Sequence, residues 1–441
     1  MTDSPHDTLT FSTDTLRFDT IFTDLGSPTL RLKVFNRSPK GVNISSIRMK
    51  DNTGIFSMNV DGVSGESFSD VEIRGNDSIF IFVECIIDAN SDARPFRVEG
   101  EMEFLTNGVT QSVVLEAYGQ NVERLRSVTL TDDAVFTSER PYVIFDTLRV
   151  AAGATLTIEP GARVYFHDKG ALMIDGTLLA LGEQGRMISM RGDRLGEVLP
   201  DTGYEILSGQ WQGVRFGPES FGNRIEYVEM QSSATGLVLD SCAISESPRL
   251  TLVNSWLHNS QGNVLRSDFG NVNAYGCCFS DAGEAVVRLR GGVHQFVQCT
   301  FANYYLFTIS PDPIVTLLHL SEKDDDGSGL PRMNAAFDNC IVYGITFPIS
   351  PVDLEGSDVF MRNVLIGAEG SDDDHFISCV WDENPDFETE REKYYFNYRL
   401  KEGSPALGAG NPEYVLPVCR FDMTGVDRLA SGSPALGAYA R

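Results

Sequence analysis

The chain has 441 residues, 42% of them hydrophobic, and sets 62 Asp and Glu against 35 Lys and Arg for a formal charge of −27, a length ample for about two or three domains. No stretch approaches the roughly eighteen consecutive apolar residues of a membrane-spanning helix, and the start Met1-Thr2-Asp3-Ser4 has no apolar signal region, so the chain itself reads as soluble. The charge disfavours DNA, RNA or an anionic polysaccharide as a bulk partner unless a metal or a local basic patch intervenes, and leaves neutral ligands open.

In chain order, residues from about 10 to 122 hold short alternating runs such as Thr29-Leu30-Arg31-Leu32-Lys33-Val34, Ser78-Ile79-Phe80-Ile81-Phe82-Val83 and Ser112-Val113-Val114-Leu115-Glu116-Ala117, separated by Gly, Asn, Asp and Ser turns. Alternation with a period of two is the mark of half-buried strands, and about seven of them predict an immunoglobulin-like β-sandwich over 1–122. After Val122 to Arg126 the character changes. Leu148-Arg149-Val150, Leu156-Thr157-Ile158, Val164-Tyr165-Phe166 and Leu172-Met173-Ile174 are short strands bounded by Gly153, Pro160-Gly161 and Gly170.

A repeat then emerges. Asn254-Ser255-Trp256-Leu257, Gly276-Cys277-Cys278-Phe279 and Gln298-Cys299-Thr300-Phe301 superimpose with a shift of twenty-two residues each time, followed by Asn339-Cys340-Ile341-Val342 and Asn363-Val364-Leu365-Ile366. A repeat this short, rich in β-branched and aromatic residues, is one turn of a β-solenoid whose equivalent positions stack roughly 4.8 Å apart. The column Ser255, Cys277, Cys299, Cys340, Val364 and the column two residues on, Leu257, Phe279, Phe301, Val342, Ile366, should both face inward. So should Leu252, Ala274, Phe296, Phe337 and Met361. The column Asn254, Gly276, Gln298, Asn339, Asn363 is rich in residues that tolerate left-handed backbone angles and marks a corner. The jump from Cys299 to Cys340 is forty-one residues, so an insertion near Tyr304 to Arg332 is expected to leave the stack. The coil is placed at 123–380, with 381–441 as a C-terminal capping segment.

Of the eight cysteines, three are rungs of the inward column, which predicts buried thiols rather than a disulfide framework; Cys379 and Cys419 are placed outside the column, with their pairing left open.

Gly153-Ala154-Thr155-Leu156-Thr157-Ile158-Glu159-Pro160-Gly161, Gly176-Thr177-Leu178-Leu179-Ala180-Leu181-Gly182 and Trp211-Gln212-Gly213-Val214-Arg215-Phe216, with the tail residues Asn384-Pro385-Asp386-Phe387, Gly403-Ser404-Pro405-Ala406-Leu407-Gly408-Ala409-Gly410 and Gly437-Ala438-Tyr439, resemble secreted bacterial right-handed parallel β-helix proteins of the Bacteroidetes type. The resemblance covers residues 125 to 441. It implies export and an extracellular location as an outer-membrane lipoprotein, its signal and acylated cysteine preceding this chain. Members of that family include surface lipoproteins without assigned activity, polysaccharide lyases and hydrolases.

The clearest charged constellation comes from the same shift applied to the next strand, which stacks Arg266 on Arg288 and Asp268 on Arg290. These four outward residues make a small anion-friendly patch, the nominated ligand site; the plainer reading is a surface ion pair between Asp268 and Arg290 worth about 0 to 1 kcal/mol. No group of Asp residues in the regular turns offers the paired carboxylates, roughly 6.5 to 9.5 Å apart, of an inverting glycosidase. Asp324-Asp325-Asp326 and Asp372-Asp373-Asp374 are acidic loops weighed as Ca²⁺ ligands against plain solvation, and neither has EF-hand spacing. The histidines show no zinc motif, and no phosphate loop or nucleophile elbow appears. Cofactors are otherwise expected to be none.

The outward column Trp256, Cys278, Thr300, Ile341, Leu365 is apolar for a solvent face. Either another segment covers it, most simply the insertion with Tyr304, Tyr305, Leu317 and Leu318, or Trp256 stacks on a sugar or partner. The whole reads as an all-β, exported, cell-surface protein of non-catalytic type that binds a polysaccharide or a surface protein. The rival is a lyase or hydrolase acting through the Arg266 and Arg288 face.

Overall fold

The computed structural model describes the chain apart from residues 51–53, 93, 200–201, 243–247, 322–330, 351 and 441. Described residues are almost entirely strand and turn, and they divide into two units: Met1–Val122 with Leu195–Tyr204, and Glu123–Arg194 with Glu205–Arg441.

The first unit is a two-sheet β structure. One sheet orders Leu9–Phe11, Leu30–Asn36, Ser78–Cys85, Phe56–Val60 and Val63–Gly65, all antiparallel. The other orders Thr15–Phe22, Val109–Gln120, Phe96–Thr106, Val42–Lys50 and Ser67–Phe68, with Val71–Ile73 also on Val42–Lys50. Its one parallel pairing joins Thr15–Phe22 to Val109–Gln120. Because side chains alternate across a strand, Leu32, Val34, Ile81 and Val83 from one sheet meet Ile44, Met102, Phe104 and Leu115 from the other in a single enclosed core.

The second unit is a parallel solenoid built, among the described residues, on sheets of seventeen and ten strands. Each strand pairs in register with its equivalents one turn away: Trp256 opposes Cys278, Cys278 opposes Thr300, Thr300 opposes Ile341, and Ile341 opposes Leu365. All three columns expected inside are buried. Parallel rings stack along them, Phe279 on Phe301 at 5.5 Å and Phe296 on Phe337 at 4.9 Å between centroids. At the corner, Asn254, Gly276, Gln298, Asn339 and Asn363 all have positive φ, between 44° and 67°. A strand must bend there without losing its place in the stack, and the left-handed angle achieves that in one residue.

Two expectations are corrected. The insertion does not leave the stack as a whole: Val315–Leu318 lies in register on Val287–Arg290 and buries Val315 and Leu317 inside the coil. The alternation of that short run matches Val287 and Leu289 beneath it, so half a turn is recovered between two loops. Cys379 is not outside the column, because Val380 pairs with Leu365 and Ser378 before it has a φ of 54°, which makes Cys379 the next rung after Val364. That turn is only fifteen residues long, which hid the match. Cys379 and Cys419 are thiols, as are the other six cysteines.

The outward apolar column is covered mainly by the tail, with Tyr304 of the insertion packed against the same cluster. Phe387, Tyr398, Leu436 and Tyr439 close over Cys278, Ile341 and Leu365. Leu317 faces inward and is unavailable for that role, whereas the tail supplies both apolar side chains and hydrogen-bonding groups matched to the corner.

Candidate functional site

The corner amides hold the tail. Asn254 donates through Nδ2 to the Phe421 carbonyl at 3.1 Å, and Asn339 both donates to and accepts from the Asn411 backbone at 2.8 Å. Arg428 is buried and reaches the Cys419, Gly437 and Ala438 carbonyls and, at 3.2 Å, Gln298 Oε1. Burial pulls its guanidinium below the ordinary arginine value. Deeper under the tail, the Tyr398 hydroxyl lies 2.6 and 2.7 Å from the two carboxylate oxygens of Asp281, and the Tyr304 amide donates to the same group at 3.0 Å. Burial raises the Asp281 carboxyl and raises the Tyr398 phenol well above its usual value. The same cover half-buries Trp256, whose indole N–H donates to Ser280 Oγ at 3.2 Å and whose ring stacks on His258 at 4.0 Å. Trp256 is therefore part of a packed flank and not an open sugar platform.

The nominated arginine face is assembled in the predicted register, Arg266 beside Arg288 and Asp268 beside Arg290. Its pairing differs. Asp268 accepts from Arg266 Nε at 2.9 Å and Arg288 at 3.2 Å, while Arg290 turns its guanidinium over the Phe269 ring at 5.0 Å. Two long side chains of the neighbouring column reach the carboxylate diagonally, so the expected Asp268 to Arg290 pair gives way to a shared carboxylate. A ligand anion arriving there meets guanidinium groups already in ion pairs.

The acidic loop at 372–374 is a structural turn. Asp372 accepts from the Ser378 and Cys379 amides and the Trp381 indole at 2.7, 3.1 and 3.0 Å, and Asp373 accepts from the His375 and Phe376 amides. Asp374 is exposed beside them. Asp324, Asp325 and Asp326 lie outside the described residues. Among the described residues no group of three or more His, Cys, Asp or Glu side chains is placed to hold a metal ion.

Two features were missed in the sequence. The first is an ionisable group on the outward coil face: Tyr165 beside Arg191, Glu229 beside Trp256, and Gln231 beside His258. His258 Nε2 lies 3.5 Å from Glu229 Oε1, and Arg191 pairs with Glu205 at 3.1 Å. The His258 imidazole, helped by Arg191 farther off, holds Glu229 below the usual carboxylate range against the opposing effect of burial. Burial raises the Tyr165 phenol. This sets a carboxylate, an imidazole and a guanidinium on one strand face, with His258 largely covered, its Nε2 buried and its ring on Trp256. The signal was hidden because Glu229 and Trp256 are twenty-seven residues apart, not twenty-two.

The second is apolar. Phe307 and Ile309 in one loop, Ile345 and Phe347 in another, and Tyr394 and Tyr395 in a third are exposed, Phe347 by 77% and Ile309 by 71%. Backbone hydrogen bonds tie these segments together: Ile314 to Phe347 and Ile345 to Asn303, with Arg391 donating to the Tyr304 and Tyr305 carbonyls. These large apolar side chains are held in the open on braced loops.

The chain matches no protein-family model and no curated protein. Among solved structures it is similar to a family 123 glycoside hydrolase from Clostridium perfringens, at 10% identity and a TM-score of 0.19 over 25% of this chain and 26% of that one. It is also similar to a PapD-like domain of human CEP192, at 10% identity and a TM-score of 0.20 over 28% of this chain and 92% of that one. A protein of unknown function from Porphyromonas gingivalis gives 11% identity and 0.20 over 28% of this chain and 59% of that one. This chain thus spans about a quarter of the hydrolase's length. Likenesses this partial carry no argument about activity.

Proposed function

We propose that this is an exported cell-surface protein that binds rather than catalyses, and that Phe307, Ile309, Ile345, Phe347, Tyr394 and Tyr395 contact a glycan or a surface protein. The reading rests on the exposure of these side chains together on braced loops. In the same proposal the first unit is an immunoglobulin-like sandwich, in keeping with its two sheets and size, and the coil is right-handed, the hand that parallel crossover connections almost always take. Attachment is through a lipid anchor on a preceding segment, with Ca²⁺ as an optional ligand.

Retention of the full chain on immobilised neutral and acidic glycans and on surface-protein extracts tests the site. Phe347→Ala with Tyr395→Ala should abolish retention while leaving the thermal midpoint in place; undiminished retention would overturn the assignment.

The second reading, a polysaccharide lyase or glycoside hydrolase, is favoured by Glu229, His258 and Arg191 on one coil face. Its test is release of unsaturated or reducing ends from a polysaccharide panel. Product lost in Glu229→Gln and His258→Asn would establish it at that face, whereas product lost only in Arg288→Ala would move it to the arginine face.

A further inference from the structure

The outer face of the five-stranded sheet is unlike the rest of this acidic chain. Arg31, Lys33 and Phe35 on Leu30–Asn36, and Phe80 and Phe82 on Ser78–Cys85, alternate with the buried Leu32, Val34, Ile81 and Val83 and so point outward together. The register sets Arg31 opposite Phe82 and Lys33 opposite Phe80. Arg31 lies 4.9 Å and Lys33 5.2 Å from the Phe80 centroid. Lys33 is also 5.0 Å from the Phe35 ring, over which Arg37 sits at 4.2 Å. The aromatic faces back the cations and fix them in place.

Among the described residues no carboxylate pairs with Arg31, Lys33 or Arg37. Arg17, Lys40 and Arg74 also form no ion pair among the described residues, but Arg31, Lys33 and Arg37 are gathered on one face and backed by rings. On the other sheet of the same unit Arg48 pairs with Glu103 at 2.6 Å, Lys50 with Glu101 at 2.8 Å and Arg97 with Glu116 at 2.9 Å. On the five-stranded sheet the carboxylate across from Thr29, Glu84, accepts the Thr29 hydroxyl at 2.6 Å instead. Three ring-backed cations thus stand ready for an external anion, beside the Phe82 ring, which is 40% exposed.

We propose that this face binds a linear anionic glycan, its carboxylate or sulfate groups meeting Arg31, Lys33 and Arg37 and one sugar ring lying on Phe82. It supplies the local basic patch without which the net charge would exclude such a ligand. Single-stranded nucleic acid is the poorer fit, because successive bases need successive open rings and the faces of Phe80 and Phe35 are occupied by cations. An acidic peptide would likewise find little open apolar surface for its own side chains. The site lies in the first unit and does not depend on the coil loops.

The test titrates the full chain with polygalacturonate and with dextran sulfate, against neutral dextran, poly-glutamate and single-stranded DNA. An acidic glycan should bind, neutral dextran should not, and affinity should fall as salt rises. Arg31→Gln with Lys33→Gln and Arg37→Gln should weaken binding by at least about tenfold, and Phe82→Ala by a smaller factor. Arg31→Lys with Arg37→Lys keeps the charge and should retain most of the affinity. Arg48→Gln, on the other sheet, should have no effect, and unchanged melting of the triple variant guards against misfolding. The proposal fails if the triple variant binds like the parent. It also fails if neutral dextran binds as well, or if poly-glutamate or DNA competes equally, since the face would then be a general polyanion surface.

Discussion

His294 should make the coil sensitive to acid, and the size of the effect follows from where the ring sits. It occupies an inward position in register between Val272 in the turn before and Ala335 in the turn after, with only 2% of its surface exposed. One ring nitrogen, Nε2, lies 2.9 Å from the Gly291 carbonyl, and Nδ1 has no hydrogen-bond partner. A second proton would have to sit on Nδ1 inside an apolar coil, so burial drives the imidazole from 6.5 down to about 4. The folded value lies below the unfolded one. The unfolded chain therefore binds the proton first as pH falls, and the stability present above 6.5 is lost progressively down to about 4. A shift of this size corresponds to about 3 kcal/mol in full, of which about 2 kcal/mol is gone by about pH 5.

Trp211, Trp256 and Trp381 all belong to the second unit, so urea unfolding followed by tryptophan fluorescence reports on the coil. The parent should lose about 2 kcal/mol more between about pH 7 and about pH 5 than His294→Val, which carries the side chain found at Val272 and Val359 in the same column. Carboxylates common to both proteins cancel in that difference. Equal pH dependence in the two would show that the ring is hydrated or charged in the folded coil, and the reasoning would be refuted.

Removing the buried guanidinium with Arg428→Met strands three carbonyls and Gln298 Oε1, which should cost roughly 3 to 5 kcal/mol and free the tail for limited proteolysis while the first unit keeps its own resistance. At the corner, a Cβ at Gly276 would lie 2.3 Å from Asn254 Oδ1 on a residue with φ of 67°, so Gly276→Ala should lower stability by roughly 2 to 3 kcal/mol. Gly153 has φ of 85° but open space around it, and Gly153→Ala should cost only about 1 kcal/mol by the same denaturation assay.

How much of the molecule was legible depends on whether a residue's own chemistry or its distant neighbours decide its role. The corner column could be read from Asn254, Gly276, Asn339 and Asn363 because a left-handed angle is a property of the residue that adopts it, and each has one. The inward columns could be read because constant spacing brings like residues together. Where the spacing changes, the same physics operates unseen: a turn of fifteen residues carries Cys379 into the column, and one of twenty-seven sets Glu229 beside Trp256 and, through it, His258.

The tail was illegible for a different reason. Tyr398 finds Asp281 across 117 residues and Arg428 finds Gln298 across 130, and no local pattern announces either contact. An apolar outward column does announce that something must cover it, but not what. The converse holds on the five-stranded sheet, where alternation alone points Arg31, Lys33 and Phe35 outward, while only the fold shows that among the described residues no carboxylate pairs with the two cations. In a chain this acidic, a neutralising partner is the cheapest thing for evolution to supply. The other sheet has three, in Glu101, Glu103 and Glu116. Among the described residues its absence around Arg31, Lys33 and Arg37, three cations gathered on one ring-lined face, sets them apart from the paired Arg266 and Arg288 face, and it is why the charge-conserving lysine variants, rather than the triple glutamine variant alone, decide whether those cations serve a ligand.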